Sequence, residues 1–355
     1  VIHQIINREE GNIVAELKET GPASPLGPSS VLEAEDVFLL PASLGQERYW
    51  ELDRLKPGNP TWIVPARFRL QGPLDPAIVG RVFNEIARRH ETLRATFNPV
   101  QGQLFQVIKP SVKIEVPITD LRHYSSPERD REVDRLSLEE ARRGFDLSTG
   151  PLFRASLLRT DENEHVLLVT GHHAVVDYWS IALISNELGA LYEAYALGAN
   201  PTLPELSVQY GDYAVWQREQ ADKAVVQNEL AYWEKQLEDL PLLEFPTDHP
   251  RPDAPTYEAT ITSVVLPISL TDAVKEVATH AGATFFNTML AALGILLHQY
   301  TRQSDFGVAT QVAGRSNVDL EPLIGVFINT VVLRMNLGGD PTFLELTTRV
   351  QETGL

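Results

Sequence analysis

Seven consecutive residues, Gly171-His172-His173-Ala174-Val175-Val176-Asp177, place two adjacent imidazoles and a carboxylate at one point of the chain. An imidazole titrates near neutrality, so it suits proton transfer or hydrogen bonding to a reacting group. The apolar run Val166-Leu167-Leu168-Val169 just before the histidines reads as a buried strand. On a strand, neighbouring side chains point to opposite faces. While the strand is regular, His172 and His173 therefore cannot both enter one cleft; one can be buried for structure while the other faces a substrate. The same divergence argues against a metal, since no nearby residue completes a ligand set. Asp177 has two readings: a cap on the following helix, worth ~1 kcal/mol, or an organiser that pairs with a cation or the backbone to hold the loop of His173. No Gly-x-Ser-x-Gly elbow and no phosphate-cradling glycine loop is present. The chemistry that fits a lone histidine is direct transfer of an activated acyl group, with the second substrate as nucleophile.

The elements that must position these groups follow from hydrophobic spacing. A helix is expected from Ser180 to Leu197, with Ile181, Leu183, Ile184, Leu188 and Leu191 on its apolar positions. Strands are expected at 61–70, 93–97, 104–108, 152–158 and 166–171, and helices from Asp75 to Arg89 and over 128–144. Residues 210–237 read as one helical stretch rich in aromatics and charges. The segment Phe245-Pro246-Thr247-Asp248-His249-Pro250-Arg251-Pro252, with Pro255, is an extended connector. After it come expected strands at 260–267, 306–312 and 327–335, and helices at 271–280, 284–300 and 342–351. Alternating strands and helices in both halves give an α/β class.

The chain has 355 residues, 43% of them hydrophobic, too many for one ordinary core. A formal net charge of −18 disfavours a nucleic-acid partner. Without cysteine there is no disulfide or thiolate site. No signal peptide and no membrane span is visible, so a cytoplasmic protein is the expectation. The division expected is 1–36 as a linker or lead-in, containing GPASPLGPSS, 37–205 as a first lobe, 206–257 as a helical and proline-rich connector, and 258–355 as a second lobe. The absence of a starting methionine reads as a piece of a longer chain.

Five ordered stretches make the chain resemble the condensation domains of nonribosomal peptide synthetases, within the chloramphenicol acetyltransferase-like acyltransferases. Ser43-Leu44-Gly45-Gln46-Glu47-Arg48-Tyr49-Trp50 is similar to S-x-x-Q-x-R-x-W. Arg89-His90-Glu91-Thr92-Leu93-Arg94-Ala95-Thr96-Phe97 is similar to R-H-E-x-L-R-T-x-F. The histidine stretch, continued by Trp179 and Ser180, resembles H-H-x-x-x-D-G. Tyr210-Gly211-Asp212-Tyr213-Ala214-Val215-Trp216 resembles Y-x-D-Y-A-x-W, and Ile324-Gly325-Val326-Phe327-Ile328-Asn329-Thr330 resembles I-G-x-F-V-N-T. The connector and the loop Val312-Ala313-Gly314-Arg315 are also similar to the family.

The resemblance implies an α/β (α+β two-layer) fold, a chloramphenicol acetyltransferase-like pair of lobes in a V, with the second lobe incomplete at Leu355. It implies an acyltransferase that forms an amide between a carrier-bound donor acyl or peptidyl thioester and the amine of a carrier-bound aminoacyl acceptor. No cofactor is bound directly; the substrates ride on phosphopantetheine arms. The implied partners are donor and acceptor peptidyl carrier domains and an adjacent adenylation domain of a longer chain, around a monomeric unit. By position, His173 is the catalytic or amine-positioning residue and His172 its structural neighbour. Asp177 supports the loop, with Arg334 as the expected arginine partner. Gly171, Tyr178, Trp179, Ser180 and Asn329 fall near the reaction channel. Gln46, Arg48, Trp50, Arg89, His90, Arg94, Tyr210, Asp212 and Trp216 are motif residues expected to hold the fold. No metal site is implied.

The glycine that follows the motif aspartate in the family is Tyr178 here. If that position requires a positive φ, a tyrosine costs ~1–2 kcal/mol, and reduced or altered activity is the expectation. The rival functions are an epimerisation domain, a free-standing acyltransferase, and a non-catalytic scaffold for carrier docking. This polypeptide on its own is expected to be inactive or unstable.

Overall fold

The run Val166–Val169 lies in a strand, β7 (Glu164–His172), in which every residue after Glu164 is buried. The computed structural model that shows this describes residues 37–220, 223–253 and 262–354. The lead-in 1–36, Pro255 and the first part of the strand expected at 260–267 lie outside the described residues.

β7 pairs antiparallel on one side with β2 (Ile63–Gln71) and on the other with β6 (Phe153–Asp161), and β5 (Ile118–Asp120) adds parallel to β6. The order is β2-β7-β6-β5. Leu167 and Val169 enter the main core, which also takes Val82, Phe83 and Ile86 of α2 (Pro76–Arg89) and Ile184, Leu188 and Leu191 of α4 (Tyr178–Ala196). Val166 and Leu168 instead join Leu121, Leu158 and Val133, the last on α3 (Ser126–Arg142). Both strand faces are covered, so the strand reads as a continuous apolar run rather than an alternation. Each fully buried large side chain contributes roughly 1.5–3 kcal/mol.

A second sheet, ordered β1-β4-β3, is made by Phe38–Pro41, Gln103–Ile108 and Ala95–Val100. The helix α1 (Leu44–Leu55) starts on a capping box in which Ser43 and Gln46 satisfy each other's backbone amides. The helix α5 (Tyr210–Gln220) and the segment Ala313–Ile328 pack with all of these as one compact unit.

A second compact unit contains Lys223–Val312 and Asn329–Leu355. It holds the helices α6 (Ala224–Gln236), α7 (Ile268–His280), α8 (Phe285–Thr301) and α9 (Phe343–Thr353), with an antiparallel pair, β8 (Asp305–Val312) and β9 (Asn329–Asn336). Leu290, Phe306, Met335, Leu346 and Val350 form its core.

The α/β class is borne out, and several local expectations are corrected. The helix expected over 210–237 is two, α5 and α6, which belong to different units. Residues 262–267 form no strand. Residues 91–94 are a short 3-10 turn ahead of β3, not its start. The compact units also divide the chain differently from the expected lobes: α5 and residues 313–328 join the first unit, because Tyr210 and Phe327 are core residues there. Among the described residues, no single helix is long and apolar enough to cross a membrane.

Candidate active site

The histidines sit where β7 gives way to α4. The His172 N–H donates to the Leu152 carbonyl at 2.9 Å, and the His173 N–H to the Trp62 carbonyl at 2.8 Å. The chain then turns sharply. The His172 carbonyl accepts from the Val175 and Val176 amides at 2.9 and 3.1 Å. Gly171 is required by this turn, since a Cβ there would lie 2.5 Å from Val176 Cγ2.

The two imidazoles end in different surroundings. His172 is 1% exposed, its Nδ1 accepts from the Ala174 N–H at 3.1 Å, and its ring meets the edge of Phe145. Burial, reinforced by the neighbouring His173, drives its pKa down to about 3, so it is neutral. His173 is half-buried. Its Nδ1 lies 3.1 Å from the Val176 carbonyl, an acceptor, so Nδ1 carries the proton and Nε2 is left with its lone pair. Burial lowers the His173 pKa below the usual imidazole range; the Val176 bond and Asp177 oppose this. Tyr49 lies flat on the His173 ring, with centroids 4.7 Å apart and planes at 6°. Tyr178 meets the same ring edge-on at 6.4 Å.

Asp177 is fully buried and both of its readings are realised. Its Oδ1 accepts from the Ser180 N–H and hydroxyl at 2.8 and 2.7 Å, capping α4. Its Oδ2 takes a charge-assisted bond from Arg315 Nη1 at 2.8 Å and the Phe327 N–H at 3.2 Å. Arg315 also donates to the Leu323 carbonyl, and its guanidinium lies 4.2 Å from the Phe327 ring centroid. The expected partner, Arg334, is elsewhere. It stands on β9 opposite Gly307 and pairs with Asp305 at 2.7 and 2.9 Å. Its remaining N–H groups go to the Gln236 and Glu238 carbonyls, all within the second unit. Arg315 lay within the quoted Val312–Arg315 loop, but no spacing rule ties it to Asp177.

Tyr178 is the first residue of α4 and is not among the residues with positive φ. The strain expected of a tyrosine there does not arise, and its side chain is 63% exposed. Trp179 Nε1 donates to the Glu321 carbonyl at 3.0 Å, and the Ser180 hydroxyl oxygen accepts from the Gly325 N–H at 3.1 Å. Asn329 opens β9, is exposed, and accepts from the Thr330 N–H.

The other motif residues make a frame around this junction. Arg89 Nε and His90 Nε2 both reach Glu187 of α4, at 2.9 and 3.1 Å. Burial raises the Glu187 pKa, but the bonds from His90 and Arg89 outweigh it and hold the carboxylate below its usual range. Arg94 donates to the Ala87, Lys109 and Pro110 carbonyls. The Tyr210 hydroxyl bonds to Ser43 Oγ and the Val326 carbonyl, both at 2.8 Å, and a Cβ on Gly325 would collide with its ring. Asp212 accepts from the Gln209 N–H, and Trp216 packs on Tyr213. Trp50 packs against the main core. Arg48 departs from expectation: it is exposed and makes no ion pair among the described residues. It projects from a helix whose buried residues are Gln46, Tyr49 and Asp53. Sequence reasoning missed two neighbours of the histidines, Tyr49 and Asp53; their i, i+4 spacing on α1 was the available signal.

Comparisons with known proteins bear on the family and the fold. The family model described as "Condensation domain" matches residues 38–355. A linear gramicidin synthase of Brevibacillus parabrevis is 43% identical over 348 residues, covering 96% of this chain. Phosphinothricin tripeptide synthetase PhsC of Streptomyces viridochromogenes is 37% identical over 94% of this chain. The chain spans only 7% and 30%, respectively, of those two proteins. Among solved structures, the X-domain from teicoplanin biosynthesis superposes with a TM-score of 0.77 at 29% identity, covering 92% of this chain and 72% of that one. The SgcC5 protein from Streptomyces globisporus gives 0.72 at 30% identity, covering 88% and 72%. The first condensation domain of the calcium-dependent antibiotic synthetase gives 0.79 at 21% identity, covering 89% and 74%, a likeness of fold.

Proposed function

The chain belongs to the condensation-domain family, and on that footing we propose that it joins a donor acyl or peptidyl thioester to the amine of an aminoacyl acceptor. Both substrates arrive on phosphopantetheine arms of carrier domains, within a longer synthetase that also contains an adenylation domain.

The observation that carries this reading is the tautomer of His173. Its Nδ1–H is engaged by the Val176 carbonyl, which leaves a neutral Nε2 able to accept a proton. An α-amine titrates near pH 8 and must be deprotonated to attack. As the amine nitrogen bonds to the thioester carbon, Nε2 takes its proton. The carbon–sulfur bond breaks, the proton passes to the departing sulfur, and an amide and a free thiol result. A thioester is already activated, so positioning of the amine supplies much of the rate. Asp177 acts at one remove: with Arg315 and the α4 amides it fixes the end of the turn that carries the ring.

The test uses the full chain with one carrier loaded with an N-acylaminoacyl thioester and another with an aminoacyl thioester. Amide product on the acceptor carrier, lost in His173→Ala, is the expected result. An inverted α-centre without an amide would identify an epimerase. Carrier binding without turnover would identify a scaffold, and equal product from His173→Ala would remove the histidine from the chemistry.

A further inference from the structure

The helix α1 turns two side chains toward the histidine pair. Tyr49 covers the His173 ring, and Asp53, about one turn further along the same helix face, puts Oδ1 4.0 Å from His172 Nε2. His172 is 1% exposed and its Nε2 has no hydrogen-bond partner among the described residues. Nδ1 of the same ring accepts from the Ala174 N–H. A neutral imidazole that accepts at Nδ1 carries its proton at Nε2. A buried N–H donor thus faces a buried carboxylate. A donor buried without a partner is costly, so such groups are nearly always paired. The gap is about 1 Å beyond a direct bond, which a small carboxylate rotation or one bridging water closes.

We propose that Asp53 is a positioning residue for His173: it takes the Nε2–H of His172, and the tautomer so fixed holds the turn that carries the reactive imidazole. The inference rests on the reading of His173 given above. The path is continuous. Asp53 holds the proton on His172 Nε2, and His172 Nδ1 then accepts from Ala174. The His172 carbonyl accepts from Val175 and Val176, and the Val176 carbonyl takes the Nδ1–H of His173. The opposite His172 tautomer would set Nδ1–H against the Ala174 N–H, two donors face to face, and open the turn at its first bond. Two further facts support the assignment. Burial keeps His172 neutral well below pH 7. Burial also raises the Asp53 pKa, against a hydrogen bond from the Gly58 N–H that helps to hold the carboxylate in place.

The experiment is 15N spectroscopy of the full chain with labelled histidine, together with the carrier assay. In the wild type, His172 shows a protonated Nε2 and a bare Nδ1, and His173 the reverse. In Asp53→Leu, the His172 tautomers mix, the His173 Nδ1 signal shifts, and kcat falls about tenfold with KM little changed, the scale of loss when a partner that orients a functional histidine is removed. Asp53→Asn keeps an acceptor oxygen and restores the tautomer and most of the rate. A wild-type His172 protonated at Nδ1 overturns the proposal, and so does Asp53→Leu with unchanged spectra and kcat, or Asp53→Asn as impaired as Asp53→Leu. The wild-type spectrum needs neither a variant nor turnover. It therefore decides the tautomer even if Asp53→Leu misfolds, and it separates this proposal's failure from failure of the condensation reading.

Discussion

Tyr49 lies parallel to the His173 imidazole at 4.7 Å between centroids, while Val176 holds the Nδ1 of the same ring through its carbonyl. One contact fixes the ring plane and the other its rotation, so the direction of the Nε2 lone pair is set before any substrate arrives.

Removing the stack tests this directly. Stacked aromatic pairs are worth about 0.5–1.5 kcal/mol beyond their area, so Tyr49→Leu is expected to lower kcat by about two- to tenfold. Tyr49→Phe keeps the ring and should keep the rate. Equal loss in both, measured with loaded carriers, would show that the hydroxyl rather than the stack matters.

The buried ion pair is the strongest tie at the site. The Arg315 and Asp177 side chains are 1% and 0% exposed. Breaking such a pair from one side leaves an uncompensated charge and costs roughly 3–5 kcal/mol. Arg315→Met should therefore destabilise the first unit by about that amount in a denaturant titration. Arg334→Met, which breaks a more exposed pair with Asp305, should have a smaller effect and leave the histidine signals unmoved. The opposite ranking would restore Arg334 as the partner of Asp177.

Gly171→Ala offers a steric test of the turn. The new methyl would meet Val176 Cγ2 at 2.5 Å, and valine has few rotamers with which to yield. Overpacking of this kind costs about 1–3 kcal/mol. Val176→Ala in the same chain should recover much of the loss. If the double variant is no more stable than Gly171→Ala, the clash is not the cause.

Acid sensitivity follows from the two imidazoles. Above pH 6.5 His172 is neutral in both folded and unfolded chains and has no effect on the balance. Below it the unfolded chain binds a proton that the folded chain refuses until about pH 3. Stability therefore falls as pH drops through this window, by up to ~1.4 kcal/mol per pH unit. His172→Gln should flatten that limb of a pH–stability curve. Activity has its own acid limb. The His173 pKa is lowered, so its base form persists at neutrality and the limb near pH 8 in kcat/KM belongs to the acceptor α-amine; His173 adds a second fall only below pH 6.5. A second limb above 6.5 that stays in place when the acceptor's amine pKa is changed would contradict the burial of the ring.

Much of the first unit was legible because its signals are local. Asp75 and Asp177 each cap the helix that their spacing announced, as Thr342 does in the second unit. The run 166–169 reads as a strand because both of its faces are buried. What failed was the reading of residues whose partners are distant in sequence. The break between α5 and α6 has no proline or glycine to mark it, and helical spacing continues across it. Residues 313–328 follow β8 in the chain but pack with Tyr210 and Asp177. No periodicity within a segment reports which unit will bury it.

The sequence by itself determined the family and the candidate site. It placed His173 beside a structural histidine, set Asp177 at a helix start, and ordered five motifs that identify the family, because residue type and local spacing are enough to specify caps, strands and motif order. Only the tertiary structure decided which nitrogen of each imidazole carries the proton and that Arg315 rather than Arg334 meets Asp177. It also decided that Tyr178 sits unstrained on a helix and that Tyr49 and Asp53 back the two histidines. Those choices depend on burial and on contacts between residues far apart in the chain, where an ångström or a desolvated charge selects one partner from several of the same type.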